Sequence, residues 1–314
     1  MSGKQQIMEN SILVVAPAGY ETRILLSGHD QEFMLAEDIR YQGGGHGGNL
    51  AYYLSLIGVK CALYTHWGDD LAGREAEKGL SEVGVDLSLC RRIPGATSQS
   101  NYVLVSGGEK RVIMNFGTAL SADPERLPDG LLPPYLYTSL LPKQPSFEFI
   151  KKAKEQGSTV ILGLQLPTSI TRGQGLHHND LLKALSLADC FIGSASVVNS
   201  EFGTVLPADE LAIELCQRFR NLVTCVITDA ERGCCGVWRG ELYQQEGFQV
   251  EVEDTTGAGD QFTALFIKEH FLKKGNFDQA LWMAGACSAA ACRLAGSRVL
   301  VRESEVSGLF KNKR

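Results

Sequence analysis

Five short runs of the chain are apolar almost from end to end: Ile12–Ala16, Cys61–Thr65, Thr159–Leu164, Cys190–Gly193 and Val223–Thr228. None alternates between apolar and polar positions, which predicts strands of a parallel sheet covered on both faces. Helical patterns lie between them. Leu50, Ala51, Leu54 and Ile57 share one face, with Gly58 as a stop, and Ala72, Ala76, Leu80 and Val83 repeat that arrangement up to Gly84. A third helix is expected from Asp278, as N-cap, through an Ala-rich stretch to Leu294. Strands alternating with helices predict a layered α/β fold.

Two stretches break this rhythm. Thr22–Gln42 mixes strand-like and polar residues, and Ser98–Phe116 has the pattern of a hairpin, with Asn101–Val105 and Arg111–Met114 around a Ser-Gly-Gly-Glu-Lys turn. Both read as β segments that stand off the main sheet, where they can form a lid. The proline-rich stretch from Pro128 to Pro145 reads as a connection. No internal repeat interrupts the chain. The expected organisation is a single domain, with a core over about 8–20, 44–96 and 117–310 and a lid over about 21–43 and 97–116.

Composition narrows the function classes. The 314 residues are 44% hydrophobic and 21% charged, enough to bury a core without staples. A net charge of −6 argues against a nucleic-acid or anionic-membrane binder. Ile12–Ala16 is too short for a signal segment or a membrane span, so a cytoplasmic protein is expected. Nine cysteines occur without zinc-site spacing, and Cys190 and Cys225 sit in apolar runs, as small buried hydrophobes of a reducing compartment do.

The strongest chemical signal is Asp254-Thr255-Thr256-Gly257-Ala258-Gly259-Asp260, followed at once by a helical pattern. Small residues let the backbone approach a ligand, and a helix start offers N–H groups and a favourable dipole to an anion. Asp260 at that start can accept a proton from an attacking hydroxyl. The plainer alternative makes Asp260 only an N-cap and the glycines only a turn. A second loop, Gly43-Gly44-Gly45-His46-Gly47-Gly48-Asn49, precedes the first helix. It matches GxGxxG, but Glu37–Gln42 is a poor buried strand, so a dinucleotide site is disfavoured. The loop suits a polyhydroxylated ligand, with Asn49 as donor and acceptor, or else close packing alone. Thr228–Gly233 follows a buried strand, where ligands of α/β sheets bind. No P-loop, GxSxG elbow or HExxH motif is present, and His177-His178 reads as a solvated loop.

Gly44–Ala51 resembles the amino-terminal GGxGxN-type signature of the PfkB family of carbohydrate kinases, and Asp254–Asp260 resembles its DTxGAGD signature. The resemblance implies a ribokinase-like fold, a Rossmann-like three-layer α/β/α core with a small β-sheet lid. It implies transfer of the γ-phosphoryl of ATP, with Mg2+, to a hydroxyl of a small sugar. Asp260 would be the base, with Gly257, Ala258 and Gly259 as the anion hole. Glu21, Gly44, Gly45 and Asn49 would hold the substrate. Ser194, Thr228, Ala230, Gly233 and Gly285 would lie near the nucleotide, and a monovalent cation such as K+ would sit near Asp254 and Thr256.

Several positions depart from the family pattern. Glu21 replaces an Asp, Ala230 a glycine of TxGxxG, and Ser194–Val197 the NxxE motif. Leu265 fills a usually small position, and Gly163 stands where an acid is common. A nucleoside kinase, with Tyr41, Tyr102 and Phe116 around a base, and a sugar- or nucleotide-binding regulator with little turnover are the alternatives. Exposed lid edges would suit a homodimer.

Overall fold

The computed structural model of the chain describes residues 11–27, 33–106, 109–121, 130–296, 298–302 and 304–306. Its strands are β1 (Ser11–Val15), β2 (Gly19–Ser27), β3 (Leu35–Gly44), β4 (Lys60–Tyr64), β5 (His66–Gly68), β6 (Arg91–Ile93), β7 (Ser100–Ser106), β8 (Glu109–Asn115), β9 (Tyr135–Thr138), β10 (Thr159–Leu164), β11 (Cys190–Ser194), β12 (Thr224–Thr228), β13 (Gly233–Trp238) and β14 (Glu241–Glu246). Its helices are α1 (His46–Leu56), α2 (Leu71–Ser81), α3 (Lys143–Gln156), α4 (Thr168–Thr171), α5 (His178–Leu185), α6 (Ala195–Phe202), α7 (Ala208–Arg218), α8 (Ala258–Phe266) and α9 (Phe277–Ala291).

Eight strands form the central sheet in the order β14-β13-β12-β11-β10-β9-β1-β4. Those from β12 to β4 are parallel, and β13–β14 closes one edge as an antiparallel hairpin. The five apolar runs are β1, β4, β10, β11 and β12 because both faces of the sheet are covered. Ile12 and Val14 of β1 pack in one cluster with Leu50 of α1, Phe262 of α8 and Ala284 of α9. Leu13 and Val15 pack in the other with Phe149 of α3, Leu181 of α5 and Leu211 of α7.

The structure corrects three expectations. The proline-rich stretch is more than a connection, since β9 lies inside it and pairs with both β1 and β10; Pro128 falls outside the described residues. Asp278 is not the N-cap of the last helix. Asn276 is, because its side-chain oxygen accepts from the N–H groups of Asp278 (2.8 Å) and Gln279 (3.4 Å), leaving Asp278 in the first turn. His178 is no loop residue either. It opens α5, and its Nδ1 lies 2.6 Å from the buried Glu201 carboxylate.

A second sheet, β3-β2-β7-β8, stands apart from the first. Residues 28–32 and 107–108 lie outside the described residues. Its register sorts side chains onto two faces, because neighbours directly across the strands point the same way. Tyr41, Thr22, Tyr102 and Ile113 form one row, and Tyr41, Tyr102 and Ile113 are exposed. The adjacent row of Gln42, Glu21, Asn101 and Met114 faces the opposite way, and Glu21 and Asn101 are buried. The sheet is a two-faced cover, apolar outside and polar toward the core.

Candidate active site

Residues leaving β1, β9 and β10 at their carboxyl ends, Pro17, Ser139 and Gln165, line a cleft of about 290 Å³. This is where open α/β sheets place their ligands. Glu21, Asn101 and Met114 of the lid close it from above, and Gly45, His46 and Asn49 of α1 with Gly257, Gly259 and Asp260 of α8 form its wall. A further wall is apolar and includes Leu141, Leu164, Leu166 and Leu176.

α8 begins here because Gly257, the N-cap, takes the left-handed backbone angle of 81° that glycine adopts without strain. Asp260 is therefore the third helical residue and makes no cap. Its side chain turns into the cleft wall, which removes the capping alternative. Asn49 Nδ2 donates to Asp260 Oδ2 at 2.9 Å, and His46 Nδ1 lies 2.5 Å from Asp260 Oδ1. Both partners come from the first turn of α1, where three-residue spacing puts them on one face. Glycines bring that turn close: a Cβ on Gly47 would lie 2.5 Å from the Ala16 side chain, and one on Gly45 2.7 Å from the Gln99 side chain. Gly44 is buried at the end of β3 against Glu21, whose carboxylate accepts from Gln42 Nε2 at 2.7 Å.

A second cleft, also about 290 Å³, lies on the other side of the α8 start. Thr228, Ala230, Gly233 and Gly285 line it together, with Phe248, Val250 and Phe262 as apolar walls. Gly259 lines both clefts, so the helix start is their shared partition. Ser194 lies outside this lining. It caps α6, its hydroxyl accepting from Val197 N–H, and stands beside Thr228 in the sheet. Ala230 adopts a φ of 47°, a left-handed angle that glycine takes at less cost.

Around the partition, Ala258 N–H bonds Thr255 O at 3.3 Å, a long bond that a phosphoryl oxygen can compete with. Lys110 of β8 reaches from the lid to the Thr255 and Thr256 hydroxyls at 3.4 and 3.3 Å. Asp254 lies just before the turn and is bound by Arg23 Nε of β2 (3.0 Å), Thr256 N–H (2.9 Å) and Gly296 N–H (3.2 Å). Burial alone would raise the Asp254 pKa, but the hydrogen bonds from Thr256 and Gly296 and the charge of Arg23 outweigh it and hold the carboxyl below its ordinary value. No group of three or more His, Cys, Asp or Glu gathers to hold a metal ion among the described residues.

Four residues of this region carry no signal in the sequence motifs. His46 is inside the glycine loop, but nothing there marks it as a partner of Asp260. Gln165 reaches the cleft from just beyond β10, and Tyr137 of β9 lies fully buried behind His46. Arg298 stacks over the Tyr52 ring at 4.8 Å and donates through Nε to Asn49 Oδ1 at 3.2 Å, while its Nη2 is buried without a hydrogen-bond partner among the described residues. Tyr41 and Tyr102 stand on the outer face of the lid, so of the three aromatic residues weighed for a base pocket Phe116 alone lines the cleft.

A carboxylate in one cleft, a second cleft beside it and an anion-binding helix start between them suit phosphoryl transfer between two small molecules. The family model for pfkB family carbohydrate kinases matches residues 11–303. The chain belongs to that family. It is 29% identical to an ATP-dependent ribose-1-phosphate kinase of Halopiger xanaduensis over 266 residues, 82% of this chain and 83% of that one. A ribokinase of Haemophilus influenzae is 23% identical over 283 residues, covering 85% and 86%. The fold is shared with Arabidopsis thaliana ribokinase, solved with ribose and ATP, at a TM-score of 0.79, 19% identity and coverage of 98% and 100%.

Proposed function

We propose that the protein transfers the γ-phosphoryl of MgATP to a hydroxyl of a small sugar, with Asp260 as the base. The observation that carries this is the single helix start shared by two clefts, with Asp260 on the acceptor side. An acceptor hydroxyl beside Asp260 loses its proton to the carboxylate as its oxygen bonds the phosphorus. The bond to ADP breaks, and ADP leaves with the electron pair. The N–H groups of Gly257, Ala258 and Gly259 meet the charge on the phosphoryl oxygens, and Lys110 adds a cation from the lid. Mg2+ bound to the nucleotide as part of the substrate would supply charge neutralisation at its phosphates. Glu21, Asn49, Gly44 and Gly45 hold the sugar, and the closed lid limits hydrolysis by excluding water.

Arg23 already places a positive charge on Asp254. We therefore expect turnover to depend little on whether K+ or Na+ is present. The four-leucine wall favours one second reading, an acceptor with an apolar group such as a nucleoside. Ribose 1-phosphate, the substrate in the Halopiger relative's name, belongs in the test because Arg298, which bonds Asn49, keeps a buried Nη2 without a partner among the described residues. The experiment is ADP release from MgATP with free sugars, sugar phosphates and nucleosides, in K+ and in Na+. Turnover confined to nucleosides would replace the sugar reading, and no turnover with intact ATP binding would leave a regulator.

A cytoplasmic location remains our expectation, supported by thiols of Cys61, Cys190 and Cys225 that burial pushes up, away from reactivity. No helix among the described residues is long and apolar enough to cross a membrane. The exposed lid row of Tyr41, Tyr102 and Ile113 supports a homodimer. Sedimentation at micromolar protein should give twice the mass of the chain, and a monomer there would count against it.

A further inference from the structure

We propose that His46, held by Tyr137, is the positioning residue of the Asp260 base. This rests on the kinase reading and deepens it. Asp260 receives one partner on each oxygen, His46 on Oδ1 and Asn49 on Oδ2. The imidazole is itself held from behind, since its Nε2 bonds the hydroxyl of the fully buried Tyr137. The two rings lie 5.4 Å apart, tilted at 49°.

The direction of the chain follows from Tyr137. Burial first, and the negative charge of Asp260 second, push its phenol well above the ordinary value, so it keeps its proton. His46 meets it through Nε2, and the O–H is the donor there, because the Asp260 carboxylate can only accept and so takes its hydrogen bond from His46 Nδ1. An accepting Nε2 leaves the proton of the neutral ring on Nδ1, which donates to Asp260. Tyr137 and His46 thus form one directed series of donors that ends on the Asp260 carboxylate as acceptor. With both oxygens engaged, the carboxylate cannot rotate, and its remaining lone pairs are offered to the cleft in one orientation.

The sequence makes room for this series at one position. Gly163 of β10 lies beside Tyr137, and a Cβ there would sit 1.8 Å from the Tyr137 hydroxyl. Any side chain at 163 would displace the hydroxyl that fixes His46. The departure at Gly163 and the tyrosine at 137 are one adaptation.

The test is steady-state kinetics on the turned-over acceptor with Tyr137→Phe, His46→Ala, His46→Asn, the double variant His46→Ala/Tyr137→Phe, and Asp260→Asn. Loss of orientation in His46→Ala should lower kcat by ~10²-fold with KM little changed. Tyr137→Phe, which deletes one hydroxyl, should lower kcat by a smaller factor. The double variant should lose no more than His46→Ala, because the tyrosine acts only through the histidine. His46→Asn, whose amide can still donate to Asp260, should recover part of the loss and be indifferent to Tyr137→Phe. ATP affinity, set by the other cleft, reports that each variant is folded. Losses that multiply in the double variant, or a change confined to KM, overturn the proposal. If Asp260→Asn is inactive while the His46 and Tyr137 variants turn over normally, this inference fails alone. If Asp260→Asn stays active, the base assignment itself fails.

Discussion

Asp260→Asn is expected to lower kcat by ~10²–10⁴-fold, the usual contribution of a positioned general base. The substitution nearly keeps shape and volume, so what it removes is the ability to take a proton. It also turns one acceptor oxygen into a donor. Both carboxylate oxygens now face donors, His46 Nδ1 and Asn49 Nδ2, so one of these would meet an N–H group instead of an oxygen. The second cleft, proposed for the nucleotide, lies across the partition, and ATP affinity should stay near wild type. Rapid-quench or coupled-assay kinetics beside ATP titration separate the two effects. A variant that keeps more than a tenth of wild-type kcat would remove Asp260 from the chemistry.

Arg23→Met should cost about 3–5 kcal/mol, the range for breaking one side of a buried ion pair. The Arg23 and Asp254 side chains are 7% and 2% exposed, and the substitution strands a carboxylate that water cannot reach. The pair joins β2 of the lid to the loop that leads into α8. Loss should therefore appear in chemical denaturation and as a raised KM for the acceptor. Arg23→Met combined with Asp254→Asn should be less destabilised than Arg23→Met alone, since no charge is left unpaired. The pH dependence has a definite sign. Asp254 is held below its ordinary value in the folded protein, so its contribution is complete above about pH 4 and is lost as pH falls through the lowered value. Wild type should lose stability on that acid limb, and the double variant should lose less. Equal acid sensitivity in the two would show that Asp254 is not the group responsible.

The sequence revealed those parts of the fold that repeat a simple rule. β1, β4, β10, β11 and β12 are apolar on both sides because two helical layers cover them. β9 obeys the same rule but has four residues, two of them tyrosines, and its prolines drew the reading toward a connection. The β13–β14 hairpin escaped notice because glycine and cysteine open β13 and polar residues fill β14. At the site, the two glycine-rich motifs announced Asn49 and Asp260, since close backbone approach demands small residues in local order. His46, Tyr137 and Arg298 could not be found that way. Tyr137 is 91 residues from His46, and Arg298 is 249 from Asn49. Only the closure of the sheet brings them together. The departures were legible as departures, but their meaning was not: Gly163 makes sense once the Tyr137 hydroxyl is seen beside it, and Ala230 once its backbone angle is known.

The lid sheet is built from two separate insertions, one between β1 and α1 and the other between β6 and β9, with β2 and β7 side by side at its centre. Four lengths of chain therefore carry it away from the core. At their feet the segments touch: a Cβ on Gly19 would lie 2.3 Å from the Gln99 carbonyl, and one on Gly117 2.3 Å from that of Thr97. A cover on four closely set legs cannot swing like a flap on a tether. The expected motion is a rocking about the line of those legs, with all four sharing each bend. The inner row of Glu21, Asn101 and Met114 then comes over an acceptor as one edge, so a ligand that fits one of these residues is presented to the others.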